Sequence, residues 1–178
     1  MAREPKSKKL KYQVLIEEFL AGREWKDELE LDLDEQTAML KTGVTIAGQK
    51  GRLIVIGCDK TDFVDVHFYY DFQCREAKLE QMAILLNEIH QRWKFGHFIS
   101  FADGHIRWSH RIDFEGSSPA AISIERIVQP GWDTAEHFIN PIAAVALTKQ
   151  GAKEAMAEFD EEQEKRSAKS EGDGPNEL

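Results

Sequence analysis

The chain has 178 residues, of which 42% are hydrophobic and 10% aromatic, and its formal net charge at pH 7 is −9. This length and composition are typical of one globular domain with short tails. No apolar run approaches the roughly 20 residues that span a bilayer, and an acidic chain repels phosphate backbones. We therefore expect neither a membrane nor duplex nucleic acid as a partner.

Charge is concentrated at the two ends of the chain. Residues 1–11 hold five Lys and Arg against one Glu, and residues 158–178 hold eight Asp and Glu against three Lys and Arg. Segments dominated by one charge are often disordered. We predict a basic disordered arm over residues 1–9, one domain over residues 10–159 and an acidic disordered tail over residues 160–178. Because the basic start leads into no apolar signal segment, we expect a cytoplasmic protein.

The first part of the domain predicts one helix followed by strands. Leu10–Ala21 carries an apolar stripe and stops at Gly22, as helices do. In Trp25–Asp34, leucines alternate with acidic residues, which suits a half-buried extended segment and could add an edge strand. Three clearer strand patterns follow, over Ala38–Ile46, Leu53–Cys58 and Phe63–Tyr70.

The centre of the chain predicts a long amphipathic helix over Arg75–Lys94. Its large apolar side chains recur at steps of three and four residues, at Leu79, Met82, Leu86, Ile89 and Trp93. Gly96 then supplies a residue that tolerates the left-handed conformation common after helix ends.

A β-hairpin is predicted next, around Asp103-Gly104, a dipeptide that favours two-residue turns. In that register Ile99 lies opposite Trp108, and His97 lies opposite His110.

The last part of the domain predicts further helices. Ser117-Ser118-Pro119 begins a short helix that Pro130-Gly131 ends. Another helix starts at Asp133 or Thr134 and runs through Leu147 toward Gly151, and Pro141 should either kink it or divide it after Asn140. A last short helix covers Ala152–Phe159. We therefore predict a single α+β domain with a mainly antiparallel five-stranded sheet and packed helices, in the order α-β-β-β-α-β-β-α-α.

Three short segments also resemble the central block of the YbjN family, a family of proposed bacterial sensory-transduction regulators. They are Leu85-Leu86-Asn87-Glu88-Ile89, Phe95-Gly96-His97-Phe98 and Asp103-Gly104-His105-Ile106-Arg107-Trp108. The resemblance covers about Leu10–Phe159, with His90 in place of the asparagine-like residue expected there. It implies a fold like that of the type III secretion chaperones and, by analogy, a homodimer.

No residue pattern in the chain indicates catalysis. No serine lies in a nucleophile elbow, and no glycine-rich loop precedes a helix at phosphate-binding spacing. Cys58 and Cys74 stand at no metal or redox spacing, so we interpret them as reduced structural thiols. We predict a protein without enzymatic activity and without a cofactor.

The outward face of the predicted sheet is the main functional candidate. Aromatic and arginine side chains are typical of protein interfaces. We therefore predict a surface for a protein or peptide partner, or for a second copy of the chain, formed by Phe63, His67, Tyr69, Phe98 and Arg107.

Three alternatives remain open at the level of sequence. A helix of the same chain, Leu10–Leu20 or Phe138–Leu147, could cover this face. The second alternative is a metal-binding protein or enzyme that uses His97 and His110, which would need a third ligand. A small-molecule sensor is the third, and it requires an apolar pocket between sheet and helices.

Overall fold

The computed structural model of the chain describes residues 9–172, with side chains up to residue 169. In chain order its elements are α1 (Lys11–Gly22), β1 (Leu29–Asp32), β2 (Thr37–Ile46), β3 (Gln49–Cys58), β4 (Phe63–Gln73), α2 (Leu79–Arg92), β5 (His97–Ser100), β6 (His105–Asp113), α3 (Ala121–Leu147) and α4 (Ala152–Gly172). One 3₁₀ turn, Glu76–Lys78, leads into α2.

The strands form one antiparallel sheet in the order β1-β2-β3-β4-β6-β5. The predicted α+β class and antiparallel sheet are confirmed. The predicted count of five strands was wrong, because the alternating leucine and acidic segment forms β1 as a sixth strand. β1 pairs with β2, Leu29 lies opposite Leu40, and Leu29 packs on the edge of the core.

The helices lie on one side of the sheet, which we call the inner face. Tyr12 of α1 lies against Gly57 of β3, and Gly131 of α3 lies against Trp108 of β6. α2 packs beside β5, α3 and α4. The inner-face side chains of the central strands are fully or almost fully buried, among them Leu53, Val55, Val64, Val66, Phe68, Tyr70, Ile106 and Trp108. These large side chains occupy the space where a small-molecule sensor would need its pocket.

α3 is one helix of 27 residues, with Pro130 and Pro141 inside it. The predicted end at Pro130-Gly131 was wrong. A proline inside a helix removes one backbone hydrogen bond and costs about 3 kcal/mol. Long-range packing of the next residue favours the continuous helix, because Gly131 is buried against the Trp108 ring of β6.

α4 continues to Gly172, past the predicted end of the last helix near Phe159. Residues 160–172, which we predicted as disordered tail, are therefore helical. Two contacts hold α4 in place where the tail was predicted to begin. Phe159 is buried against Phe138, and Asp160 forms an ion pair with Arg92 of α2 at 2.7 Å. Residues 1–8 of the predicted arm and 173–178 of the predicted tail lie outside the described residues.

The β5–β6 hairpin is shifted by one residue from the predicted register. Phe101 donates its amide to the His105 carbonyl at 2.9 Å, which leaves a loop of three residues instead of two. Gly104 in that loop has a φ of +86° and lies against the Cys74 carbonyl, where a side chain would clash. The shift exchanges the two faces of β5, since successive residues of a strand point to opposite sides.

We expect Gly131→Ala to destabilise the protein, although alanine normally stabilises a helix by up to about 1 kcal/mol over glycine. A Cβ atom at this position would lie 2.4 Å from the Trp108 ring. Overpacking of this kind costs about 1–3 kcal/mol. Urea unfolding measures the change in the free energy of unfolding.

Gly22→Ala is the matched control, because it is also in a helix and a Cβ atom there meets nothing within 4 Å. We expect it to leave stability unchanged or slightly raised. Equal effects of the two substitutions would contradict the close contact between α3 and the sheet.

Candidate functional site

The side of the sheet opposite the helices forms the candidate site, and we call it the open face. Among residues 9–172, the elements that pack on the sheet do so from the inner face. The strand register places the central members of the open face in adjacent rows: Ile54, Ile56, Phe63, Asp65, His67, Tyr69, Ile99, Phe101, Arg107, Ser109 and Arg111. The described helices, including α1 and the second half of α3, therefore do not cover this face.

Four of the five residues predicted for the partner surface lie on the open face. Phe63, His67 and Tyr69 alternate along β4, and Arg107 pairs with Tyr69 across the β4–β6 ladder. The prediction for the fifth residue, Phe98, was wrong. Phe98 is 3% exposed, lies on the inner face and packs against Tyr70 and Phe138 with ring centroids 6.4 and 6.0 Å away.

Ile99 and Phe101 take the place that Phe98 was predicted to have. Ile99 lies opposite Arg107, and both it and Phe101 are half-buried. The sequence of β5 alone could not distinguish the two phases of the strand, because large apolar residues occur in both, Phe98 in one and Ile99 and Phe101 in the other. Only the length of the hairpin loop decides which set faces the helices.

Polar contacts between strands tie the centre of the open face together. The His67 Nδ1 atom lies 2.8 Å from the Ser109 hydroxyl. Arg111 donates from its Nε atom to Asp65 at 2.8 Å and from Nη2 to the second carboxylate oxygen, and its guanidinium lies 4.0 Å from the centre of the Phe63 ring. These contacts pair polar groups of neighbouring strands and so stabilise the centre of the open face.

Tyr69 lies between two guanidinium groups. Arg107 donates a hydrogen bond to the Tyr69 hydroxyl at 2.7 Å, and its Cζ atom is 5.6 Å from the Tyr69 ring centre and 5.0 Å from that of Phe101. Arg52 on β3 lies on the other side of Tyr69, at 5.5 Å. Arg52 was not among the residues predicted for the partner surface. The alternation of β3 places it with Ile54 and Ile56, and that signal could have identified it.

Burial is the main cause that lowers the pKa of His67 to about 4; the positive charge of Arg107 contributes to this shift, and Asp65 opposes it. The side chain is 7% exposed, so protonation would bury a charge beside two arginines. His67 is therefore neutral at pH 7 and acts as a hydrogen-bonding partner of Ser109.

The predicted pairing of His97 with His110 was wrong. His97 lies opposite Ser109, and His110 points to the other face with its ring 4.5 Å from that of Phe95. Within residues 9–172 no group of three or more His, Cys, Asp and Glu residues is arranged to hold a metal ion. His90 accepts a hydrogen bond from the Phe98 amide at 2.8 Å, which closes the free edge of β5.

Because of His67, the protein should become less stable as the pH is lowered from 6.5 to about 4. Between pH 6.5 and about 4 the unfolded chain binds a proton at this residue that the folded chain does not, so the free energy of unfolding falls as the pH is lowered. The slope for one proton is at most about 1.4 kcal/mol per pH unit. Below pH 4 this dependence ends, because both states are protonated.

We expect His67→Gln to remove this part of the slope when urea unfolding is measured across that pH range. Thr45→Gln, at an exposed and non-titrating position of β2 on the same face of the sheet, should keep the wild-type slope. A slope in His67→Gln as steep as in the wild type would contradict a neutral, buried His67.

The chain was compared with protein-family models, curated proteins and solved structures. A chain in the crystal structure of the ExsC-ExsE complex is similar, with 17% sequence identity and a TM-score of 0.49 over 74% of this chain and 94% of that chain. No curated protein sequence matches the chain. The sequence model of the YbjN family, whose description is "putative bacterial sensory transduction regulator", matches residues 13–144. This match covers more than half of the chain, so the chain belongs to the YbjN family.

Proposed function

We propose that this YbjN-family protein is a non-enzymatic, cytoplasmic protein-binding module that holds its partner on the open face. The observation that carries the proposal is a sheet face with large apolar and aromatic side chains on which no described helix packs. Ile54, Ile56, Tyr69, Ile99 and Phe101 are all only partly buried there. In a domain with four helices on the other face, such a surface is available for a partner.

The composition of the open face suits a protein partner. Aromatic rings stacked with arginines give a large contact area with little loss of side-chain freedom, and such residues dominate binding energy at interfaces. The hydrogen bonds that fix Tyr69 and His67 hold these side chains in place before a partner arrives, which lowers the entropy cost of binding.

The partner we propose is a protein or peptide, and a second copy of the chain is one such partner. The family description supports a regulatory role, in which binding or release of a protein is the signal. A net charge of −9 disfavours nucleic acid as the partner. Among the described helices, none is both long and apolar enough to cross a membrane.

The double substitution Tyr69→Ala and Phe101→Ala tests the open face. We expect it to abolish capture of partner proteins from cell extract, or of a differently tagged second copy, because it removes the two aromatic rings at the centre of the surface. Circular dichroism and urea unfolding check that the variant is folded.

A matched variant carries Ile84→Ala and Ile122→Ala, which remove two exposed apolar side chains from α2 and α3. It should capture the same proteins as the wild type. Capture that is lost in this variant and kept in the open-face variant would move the binding site to the helices and contradict the proposal.

A further inference from the structure

The free edge of β1 has a chemical pattern that the proposed function does not use. Residues 28–35 read Glu-Leu-Glu-Leu-Asp-Leu-Asp-Glu, so five acids and three leucines occur in eight residues with no base. β1 occupies the centre of this segment and is the last strand at one end of the sheet. A second strand beside β1 would have to come from outside residues 9–172.

The two edges of the sheet differ in how they are closed. At the β5 edge, the His90 ring accepts the hydrogen bond of the Phe98 amide, and α2 packs beside the strand. At the β1 edge, no described backbone group bonds to the outer side of Leu29–Asp32. An unpaired strand edge is a row of donors and acceptors that another extended segment can complete.

Apolar side chains are exposed along the same edge. Leu31 in β1 is 45% exposed, and Leu33 in the turn after it is 66% exposed. The register places Leu31 opposite Ala38, so its side chain points to the inner face, on the same side as the half-buried Leu29. An added strand would cover Leu31 if it had apolar residues at every second position.

Acidic side chains occupy the alternate positions. Glu30 lies opposite Met39 and Asp32 opposite Thr37, which places both carboxylates on the side of the open face. Glu30 has an ion pair with Lys41 at 3.0 Å. No Lys, Arg or His among the described residues forms an ion pair with Asp32 or Asp34.

This charge pattern selects against a second copy of the same strand. In an antiparallel pair of two β1 strands centred on Leu31, Glu30 of one copy would lie opposite Asp32 of the other, and like charges opposite each other are destabilising. A strand with Lys or Arg at those positions would instead place opposite charges together. Charge complementarity therefore identifies the class of partner.

We propose that β1 binds an extended segment of another protein as a seventh, antiparallel strand, and that this segment alternates apolar residues with Lys or Arg. The apolar residues continue the inner face beside Leu31, and the basic residues lie beside Glu30 and Asp32. This site is at the edge of the sheet, so it does not depend on binding at the open face.

A fluorescent peptide of about nine residues that alternates lysine and valine is the probe, with binding to the full chain followed by anisotropy at about 150 mM salt. Two further peptides carry N-methyl groups on all valines or on all lysines. Alternate residues of a strand present their amides to opposite edges, so each methylated peptide keeps the donors of one edge only.

We expect one methylated peptide to bind within about twofold of the parent and the other to bind at least about tenfold more weakly. Equal binding by the two methylated peptides, whether strong or weak, would overturn the proposal, because attraction between a basic peptide and an acidic protein does not depend on the edge. Absence of binding by the parent peptide would overturn it as well.

Leu31→Thr should weaken binding of the parent peptide at least about fivefold, since it removes the apolar side chain but keeps a residue that favours strands. Leu147→Thr on α3 is the matched control, because Leu147 is also 45% exposed. Equal effects of the two substitutions would contradict binding of the peptide at β1.

The open-face variant Tyr69→Ala with Phe101→Ala should bind the peptide as the wild type does, so the two proposals succeed or fail separately.

Discussion

The contact between Gly131 of α3 and the Trp108 ring on β6 sets how the helical layer meets the sheet. Glycine allows the backbone of α3 to approach the ring, which is completely buried between helix and sheet. The Tyr70 hydroxyl adds a hydrogen bond to the Ala135 carbonyl at 2.8 Å, one turn further along α3. Since α3 is the longest helix and both α1 and α4 contact it, its position fixes the remaining helices on the same side.

Placing all described helices on one side leaves the other side of the sheet to its own strands. That face is stabilised by contacts between neighbouring strands, in which Asp65 pairs with Arg111 and His67 with Ser109. Asp65, His67 and Ser109 are buried within the face, whereas Arg111 is exposed and Tyr69 and Phe101 are partly exposed. The same sheet thus has a polar framework and an aromatic surface, and the proposed binding of a protein rests on this combination.

Elements with strong local patterns were predictable, and features decided by distant contacts were not. The alternation in β2 and β4, the apolar run of β3 and the stripe in α2 identified those elements. The continuation of α3 through Pro130 depends on Trp108, 22 positions away in the chain, which no local pattern reveals. For the site, Phe63, His67, Tyr69 and Arg107 followed from alternation, while Phe98 and the His97–His110 pair failed because one extra loop residue reversed the phase of β5.

The most direct test of this account is the rate of thiol labelling at two adjacent positions of β3. Ile54→Cys places a thiol on the open face and Val55→Cys places one on the inner face; buried Cys58 and Cys74 set the background in the wild type. The account predicts that Ile54→Cys reacts in the folded protein at a rate that low urea does not change, whereas Val55→Cys reacts only through unfolding. Equal protection of both thiols, at a protein concentration where sedimentation shows only monomer, would mean that some part of the chain itself covers the open face, and would contradict the account.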